Sequence, residues 1–341
     1  MPTSKLIESL LLLSSSYGGR QLQEIPDYTS PPLPIALEAT PEDYRSDAVT
    51  DEMRAVAGAG NCTATEDRCH IPFVPPADGF EGDSQVGVIF YPGALVDPRG
   101  YSVVANLLAT RYGFPTVIPV FNGDLAFTFG ICDSGRLDFA QAEFPSVEKW
   151  ILAGHSFGGV AAMVDMWSRW NEGDERAAGL VMLASYIQSV GCGDIDFSNT
   201  TLPMANVFAY NDEIVNITNW EQNQVYLSNN TEHTKIYGAN HGQFGAYDDS
   251  GRFEALGQVD GEAVIPSFVV WDFIGASVAS VASRVGVPMP VRINATAPAI
   301  ENDAGEDSQR CPPDLSDSGV KSLAISTISS LIAAALLCFH L

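Results

Sequence analysis

Basic residues are scarce in this chain. Lys and Arg total 17 against 42 Asp and Glu over 341 residues, a formal net charge of -25. Such a surface repels a phosphate backbone and has few cations with which to displace its counterions, which excludes nucleic acid as a partner. Charge of either sign is also sparse, at 17% of residues, whereas Ser, Thr and Asn are frequent, a balance that fits a secreted protein better than a cytosolic one. Cysteines number six, and no two have the short paired spacing of a zinc site; neither a metal nor another cofactor is expected. No internal repeat is present, which excludes a solenoid or propeller. What the chain does have is 46% hydrophobic and 10% aromatic residues, enough for a sizeable core.

The ends point to export. Lys5 precedes the apolar block Leu10 to Leu13, and the uncharged stretch Ser9 to Gly19 closes on small residues, so 1–19 is expected to be a signal peptide; the bland alternative, given Glu8, is a frayed helix. At the other end, small residues at Ser316 to Gly319 are followed by a spacer and the apolar block Leu331 to Leu341, the order of a lipid-anchor signal with Ser316 or Asp317 as attachment site. The alternative is a membrane-spanning helix from Leu323 to Leu341, although no Lys or Arg follows it. Glycan acceptors are expected at Asn61, Asn199, Asn216, Asn229 and Asn294. In that compartment cysteines form disulfides: Cys62 with Cys69 and Cys132 with Cys192 are the suggested pairs, Cys311 is left over, and Cys338 leaves with the tail. The expected location is therefore the outer cell surface, held to the membrane by the lipid or the helix.

Between the ends, 20–34 reads as a flexible segment, 35–286 as one domain, 287–321 as a Pro-, Asp- and Ser-rich stalk, and 322–341 as a tail that is removed. Within the domain, short apolar runs alternate with helical stretches: Val86 to Tyr91 then Tyr101 to Tyr112; Thr116 to Val120 then Arg136 to Phe144; Trp150 to Ala153 then Phe157 to Trp170. The series continues with the runs Gly179 to Ser185 and Ala205 to Tyr210, a helix from Asn219 to Leu227, a short strand Thr234 to Tyr237 and a last helix, Pro266 to Val285. Strands that are apolar throughout, alternating with helices, imply an α/β fold: a doubly wound, mostly parallel sheet covered on both faces.

In such sheets ligands bind at the carboxyl ends of the strands. After Trp150 to Ala153 comes Gly154-His155-Ser156-Phe157-Gly158-Gly159, a Gly-x-Ser-x-Gly sequence at a strand-to-helix junction, where small flanking residues allow the turn that lifts Ser156 above the sheet. That turn sets Ser156 and the Phe157 amide at the positive end of a helix, suited to an oxyanion. A serine nucleophile needs a base and an orienting acid, here in the chain order Ser, acid, His. Of the five histidines, His70 precedes the elbow, His155 lies in it, His340 is in the tail and His233 stands before a strand. His241 follows that strand at the reactive edge and is the expected base. Asp212 follows the run Ala205 to Tyr210 and is the preferred acid, with Glu213 as the alternative; Asp194 and Asp196 read as solvated loop acids. The turn Tyr91-Pro92-Gly93-Ala94 offers the Ala94 amide as a second oxyanion donor.

These motifs resemble those of the α/β-hydrolase superfamily, in particular its minimally capped, dienelactone-hydrolase-like group (hydrolase fold 5). The matching residues are Tyr91-Pro92-Gly93, Val96-Asp97-Pro98-Arg99, the elbow, Asn211-Asp212, Gly238 to Gly245 around His241, and Asp260-Gly261-Glu262-Ala263. The resemblance covers about Leu37 to Val285; cysteines, sequons and both ends depart from it. It implies attack by Ser156 on an activated carbonyl, proton transfer through His241 oriented by Asp212, and an acyl-enzyme resolved by water. Only a loop fits between Ser185 and Leu202, so small or short-acyl carboxylic esters are the expected substrates, with short-chain phospholipid or lysophospholipid as an alternative class. Gly130 to Arg136 and Ile187 to Ile195 would form the pocket rim. The alternative from another class is a catalytically silent surface binding module on the same scaffold. Oligomeric state is not legible.

Overall fold

Runs that are apolar at every position form the centre of the sheet, because both faces of each strand are covered. β3 (Val86–Tyr91), β5 (Lys149–His155), β6 (Ala177–Leu183) and β7 (Met204–Ala209) are buried along nearly their whole length. The computed structural model describes residues 70–293 apart from 95, 97, 122–125, 127–131, 188–191 and 248–257. The expected signal peptide, flexible segment, anchor site, tail, the sequons at Asn61 and Asn294, and Cys62, Cys69, Cys311 and Cys338 lie outside the described residues.

The main sheet is completed by β1 (His70–Phe73), β4 (Thr116–Pro119) and β8 (Thr231–Ile236), in the order β1-β4-β3-β5-β6-β7-β8. Every neighbouring pair is parallel except β1 against β4. The helices are α1 (Ser102–Tyr112), α2 (Arg136–Glu143), α3 (Phe157–Glu172), α4 (Ile217–Asn223) and α5 (Ser267–Ala282). Successive strand residues point to opposite faces. Val86, Val88, Phe90, Ile151, Ala153, Val181 and Leu183 join one core cluster with residues of α1 and α5. Ile89, Tyr91, Trp150, Leu152, Leu180 and Met182 join the other with residues of α2 and α3. The doubly wound sheet is thus the architecture, with a core on each side.

The chain leaves β3 for β4 on one side and then returns to β5 on the other. Strand order reverses there, and it is outside the carboxyl ends of the strands at such a point that doubly wound sheets bind ligands. Their register pairs Tyr91 with Gly154, which brings the turn after β3 beside the turn after β5.

Several boundaries differ from the sequence expectation. The helix expected from Tyr101 begins one residue later, after a 3-10 turn over Pro98–Tyr101. The strand expected at Thr234 starts at Thr231, so His233 lies inside β8 and not before it, edge-on to Trp220 with ring centroids 6.0 Å apart. The segment expected to be stalk from residue 287 first returns to the domain: Val287 and Met289 pack against the core, and β9 (Val291–Arg292) pairs antiparallel with β2 (Phe80–Glu81). The edge strand β1 carries Pro72, whose missing N–H is tolerated at an edge.

Candidate active site

Ser156 sits between β5 and α3 with φ 54° and ψ -123°, a conformation that non-glycine residues rarely adopt. The surrounding glycines make the turn possible. A Cβ at Gly154 would come within 2.3 Å of the Gly158 carbonyl oxygen, and one at Gly158 within 2.3 Å of the carbonyl oxygens of Tyr91 and Pro92. Close approach of three backbone segments therefore requires hydrogen at these positions. The Ser156 amide donates to Leu183 O at 2.8 Å, fixing the elbow to the end of β6. Its hydroxyl makes no side-chain cap to α3. Phe157 opens that helix, so its amide stands at the positive end of the helix.

The acid turn and the histidine loop meet at the ends of β7 and β8. Tyr210 N donates to Ile236 O at 2.9 Å and Asn211 N to Ala239 O at 2.8 Å. His241 Nδ1 then lies 2.7 Å from Asp212 Oδ2, and both groups are buried. The other oxygen, Oδ1, accepts the amides of Ile214 and Val215 at 2.8 Å each, which fixes the carboxylate plane. An ionised carboxylate only accepts, so His241 carries its proton on Nδ1, and Nε2 is the nitrogen with the lone pair. Glu213 is exposed, and Asp212 is the carboxylate that pairs with the ring.

Between the two halves stands His155, fully buried. Its ring centroid is 4.6 Å from that of His241 and 5.1 Å from that of Phe244, nearly parallel to the latter. It is the residue before Ser156, so its packing ties the elbow to the histidine loop. The Tyr101 hydroxyl lies 2.8 Å from His155 Nδ1 and accepts the Gly93 amide at 3.0 Å. Through Tyr101 the turn that carries Ala94 is held against the elbow.

A third support joins β3, α3 and the loop before α2. The Tyr91 hydroxyl donates to Asp165 Oδ2 at 2.6 Å, and Ser134 N donates to Asp165 Oδ1 at 2.8 Å. Burial pushes the Asp165 carboxyl up to about 6, against the hydrogen bonds from Ser134 and Tyr91. Burial and the Asp165 charge push the Tyr91 hydroxyl well above its ordinary range, so it remains the donor. Next to Ser134, Cys132 and Cys192 form the expected disulfide, with Cα atoms 5.4 Å apart. The bridged cysteines pack against the same apolar cluster as Ala94, Phe157, Ile187 and Ile195. Asp133 pairs with Arg169 of α3 at 2.9 Å, anchoring the bridged loop from beneath.

The structure brings the expected Asp212 and His241 into contact and sets Ser156 in a strained elbow, whereas the contacts of Tyr101, His155 and Asp165 were not foreseen from the sequence. Tyr101 sits two residues past Arg99, the end of a motif already singled out, and a charged Asp in the third turn of α3, within an otherwise apolar stretch, was the available signal for Asp165. Cavities of about 290 Å³ beside Pro76 and Pro115 and about 450 Å³ beside Lys149 and Pro203 open near the amino ends of the strands, away from this site. Among the described residues no cluster of His, Cys, Asp and Glu fits a metal ion.

A family model described as the alpha/beta hydrolase family matches residues 87–258. No curated protein matches the chain. Among solved structures, an esterase from Pyrobaculum calidifontis is similar at 13% identity and TM-score 0.43, over 59% of this chain and 78% of that one. A fungal esterase from Rhizomucor miehei is similar at 13% identity and TM-score 0.45, over 61% and 77%. An alpha-beta serine hydrolase homologue from Coxiella burnetii is similar at 16% identity and TM-score 0.38, over 50% and 82%.

Proposed function

The chain belongs to the alpha/beta hydrolase family, and from that premise we propose that it is a serine hydrolase of carboxylic esters working through an acyl-enzyme. The observation that carries the reading is the pairing of a strained Ser156 elbow with a buried His241 oriented by Asp212. In this scheme His241 Nε2 takes the Ser156 hydroxyl proton as Oγ bonds to the ester carbonyl carbon and the carbonyl electron pair moves onto oxygen. The amides of Phe157 and Ala94 receive that oxyanion. Collapse expels the alcohol with the proton from His241, and water then repeats the sequence to release the acid.

Small or short-acyl esters are the proposed substrates. In support, the described residues between Ser185 and Leu202 form no helix, and the Cys132–Cys192 bridge ties this stretch to the loop before α2. That stretch therefore has little material for a lid over a long acyl chain. We further propose secretion and a lipid-anchored place on the outer cell surface. The disulfide favours an oxidising compartment, and the sequon asparagines Asn199, Asn216 and Asn229 are all exposed. Among the described residues no helix is long and apolar enough to cross a membrane, and the alternative span from Leu323 to Leu341 lies outside them.

Labelling with a fluorophosphonate probe tests the chemistry: wild type should be labelled and Ser156→Ala should not, with loss of p-nitrophenyl acetate hydrolysis. An unlabelled wild type would favour a silent binding module. Phosphatidylinositol-specific phospholipase C tests the anchor, since release in soluble form is expected and retention of a chain still carrying Leu331 to Leu341 would contradict it.

A further inference from the structure

Residues 258–265 run across the turns that carry Asp212 and His241, and they bond to both. The Asn211 side-chain amide donates to Glu262 O at 2.8 Å, and that of Asn240 donates to Gly261 O at 2.8 Å. The amides of Val264 and Ile265 donate to Gly238 O at 2.8 and 3.3 Å. Asp260 spans the junction. Its Oδ2 accepts the Gly242 amide at 2.9 Å, one residue past His241, while Oδ1 accepts the Gly261 amide at 2.8 Å and the Glu213 amide at 3.4 Å, one residue past Asp212. The strap is pressed so close that a Cβ at Gly261 would fall 1.8 Å from Asn211 O.

We propose that Asp260 is a positioning residue of the active site, whose carboxylate locks the acid turn to the histidine loop and so sets the Asp212–His241 hydrogen bond. The proposal rests on the serine-hydrolase reading for its consequence in catalysis, though not for the hydrogen bond itself. Each of the two partners stands one or two residues past the backbone bonds that join the turns, Tyr210 to Ile236 and Asn211 to Ala239, and beyond those bonds the loop ends keep some freedom. One side chain bridging the amides that follow each of them removes that freedom. Burial raises the Asp260 carboxyl above its usual range, opposed by the Gly242 amide and the nearby His241 and reinforced by the Asp212 charge. A half-buried carboxylate next to a second one is costly, so its place is explained by what it holds.

The test uses the full chain with Asp260→Ala and Asp260→Asn, the latter keeping one carbonyl acceptor. Proton NMR reads the imidazole proton shared by His241 and Asp212, identified by its loss in His241→Ala. In Asp260→Ala that resonance should broaden or vanish through faster exchange, and kcat should fall on the order of 10- to 100-fold with KM little changed, as expected when a reacting group is slightly misplaced. Asp260→Asn should fall between that variant and wild type in both readouts. If the alanine variant does not fold, the asparagine variant carries the same comparison. A full-strength resonance and unchanged kcat alongside a lowered thermal midpoint would overturn the proposal and make the strap a brace for stability alone. A resonance that responds to Asp260 in a wild type that no fluorophosphonate labels would support the positioning claim while overturning the hydrolase reading.

Discussion

Tyr101 and His155 meet through a 2.8 Å contact between the tyrosine hydroxyl and imidazole Nδ1, both fully buried, although 54 residues separate them in the chain. The same hydroxyl accepts the Gly93 amide at 3.0 Å. One oxygen thereby joins the turn after β3 to the residue that precedes Ser156.

Tyr101→Phe removes that oxygen while preserving the ring, which lies 5.3 Å from Phe90. It takes from the Gly93 amide its Tyr101 acceptor in a buried place and leaves His155 Nδ1 to the more distant Tyr247 hydroxyl at 3.4 Å. Stability should fall by about 1–3 kcal/mol, read by urea denaturation. Ester hydrolysis should fall by roughly tenfold or more because the Ala94 amide loses its fixed position. Unchanged turnover would show that the oxyanion turn is held by other contacts.

The two acids of the turn should behave differently. Asp212→Asn leaves His241 beside an amide that no longer holds the productive tautomer, so turnover is expected to drop by on the order of 10⁴-fold. Glu213→Gln should stay within about twofold of wild type, because that side chain is exposed. The reverse ranking of the two variants would move the acid to Glu213.

Asp165 predicts a stability change with pH of definite sign. Burial raises its folded carboxyl to about 6, above the ordinary carboxylate value, so the native state holds a proton that the unfolded chain has already lost. Its contribution is therefore fully present in acid and disappears as pH rises to about 6 and a little beyond, with a span on the order of 3 kcal/mol. Asp165→Asn has no such titration. The unfolding free energy of wild type minus that of the variant should fall as pH rises from ~4 to ~6.5 and then level off. A flat difference would mean that Asp165 titrates as an ordinary carboxyl.

The Cys132–Cys192 bridge closes a separation of 60 residues. Replacing both cysteines by serine should lower stability by about 2–4 kcal/mol, chiefly by freeing the unfolded chain. Because the bridge packs with the cluster that contains Ala94 and Phe157, KM for short esters should change more than kcat. No change in denaturation midpoint between the reduced and oxidised protein would contradict this role.

Local pattern carried much of the fold and pointed to the three candidate site residues. A run such as Val86 to Tyr91 is buried at every position, and only a strand covered on both faces can use such a run, so the parallel sheet was written in residues that are neighbours in sequence. Gly154, Ser156 and Gly158 likewise act within one turn, and the chain order of acid and histidine followed from the strand each one trails. The edge strand β1 was not legible, since four residues containing Pro72 give no period, and neither was the return of residues 287–293 to pair with β2. What only the tertiary structure decided is which side chains reach across. Tyr91 finds Asp165 from 74 residues away, Tyr101 finds His155 from 54, and Asp260 spans the amides of Glu213 and Gly242. Such links depend on sheet register and on where loops end, whereas composition and periodicity report only the faces that each element must bury.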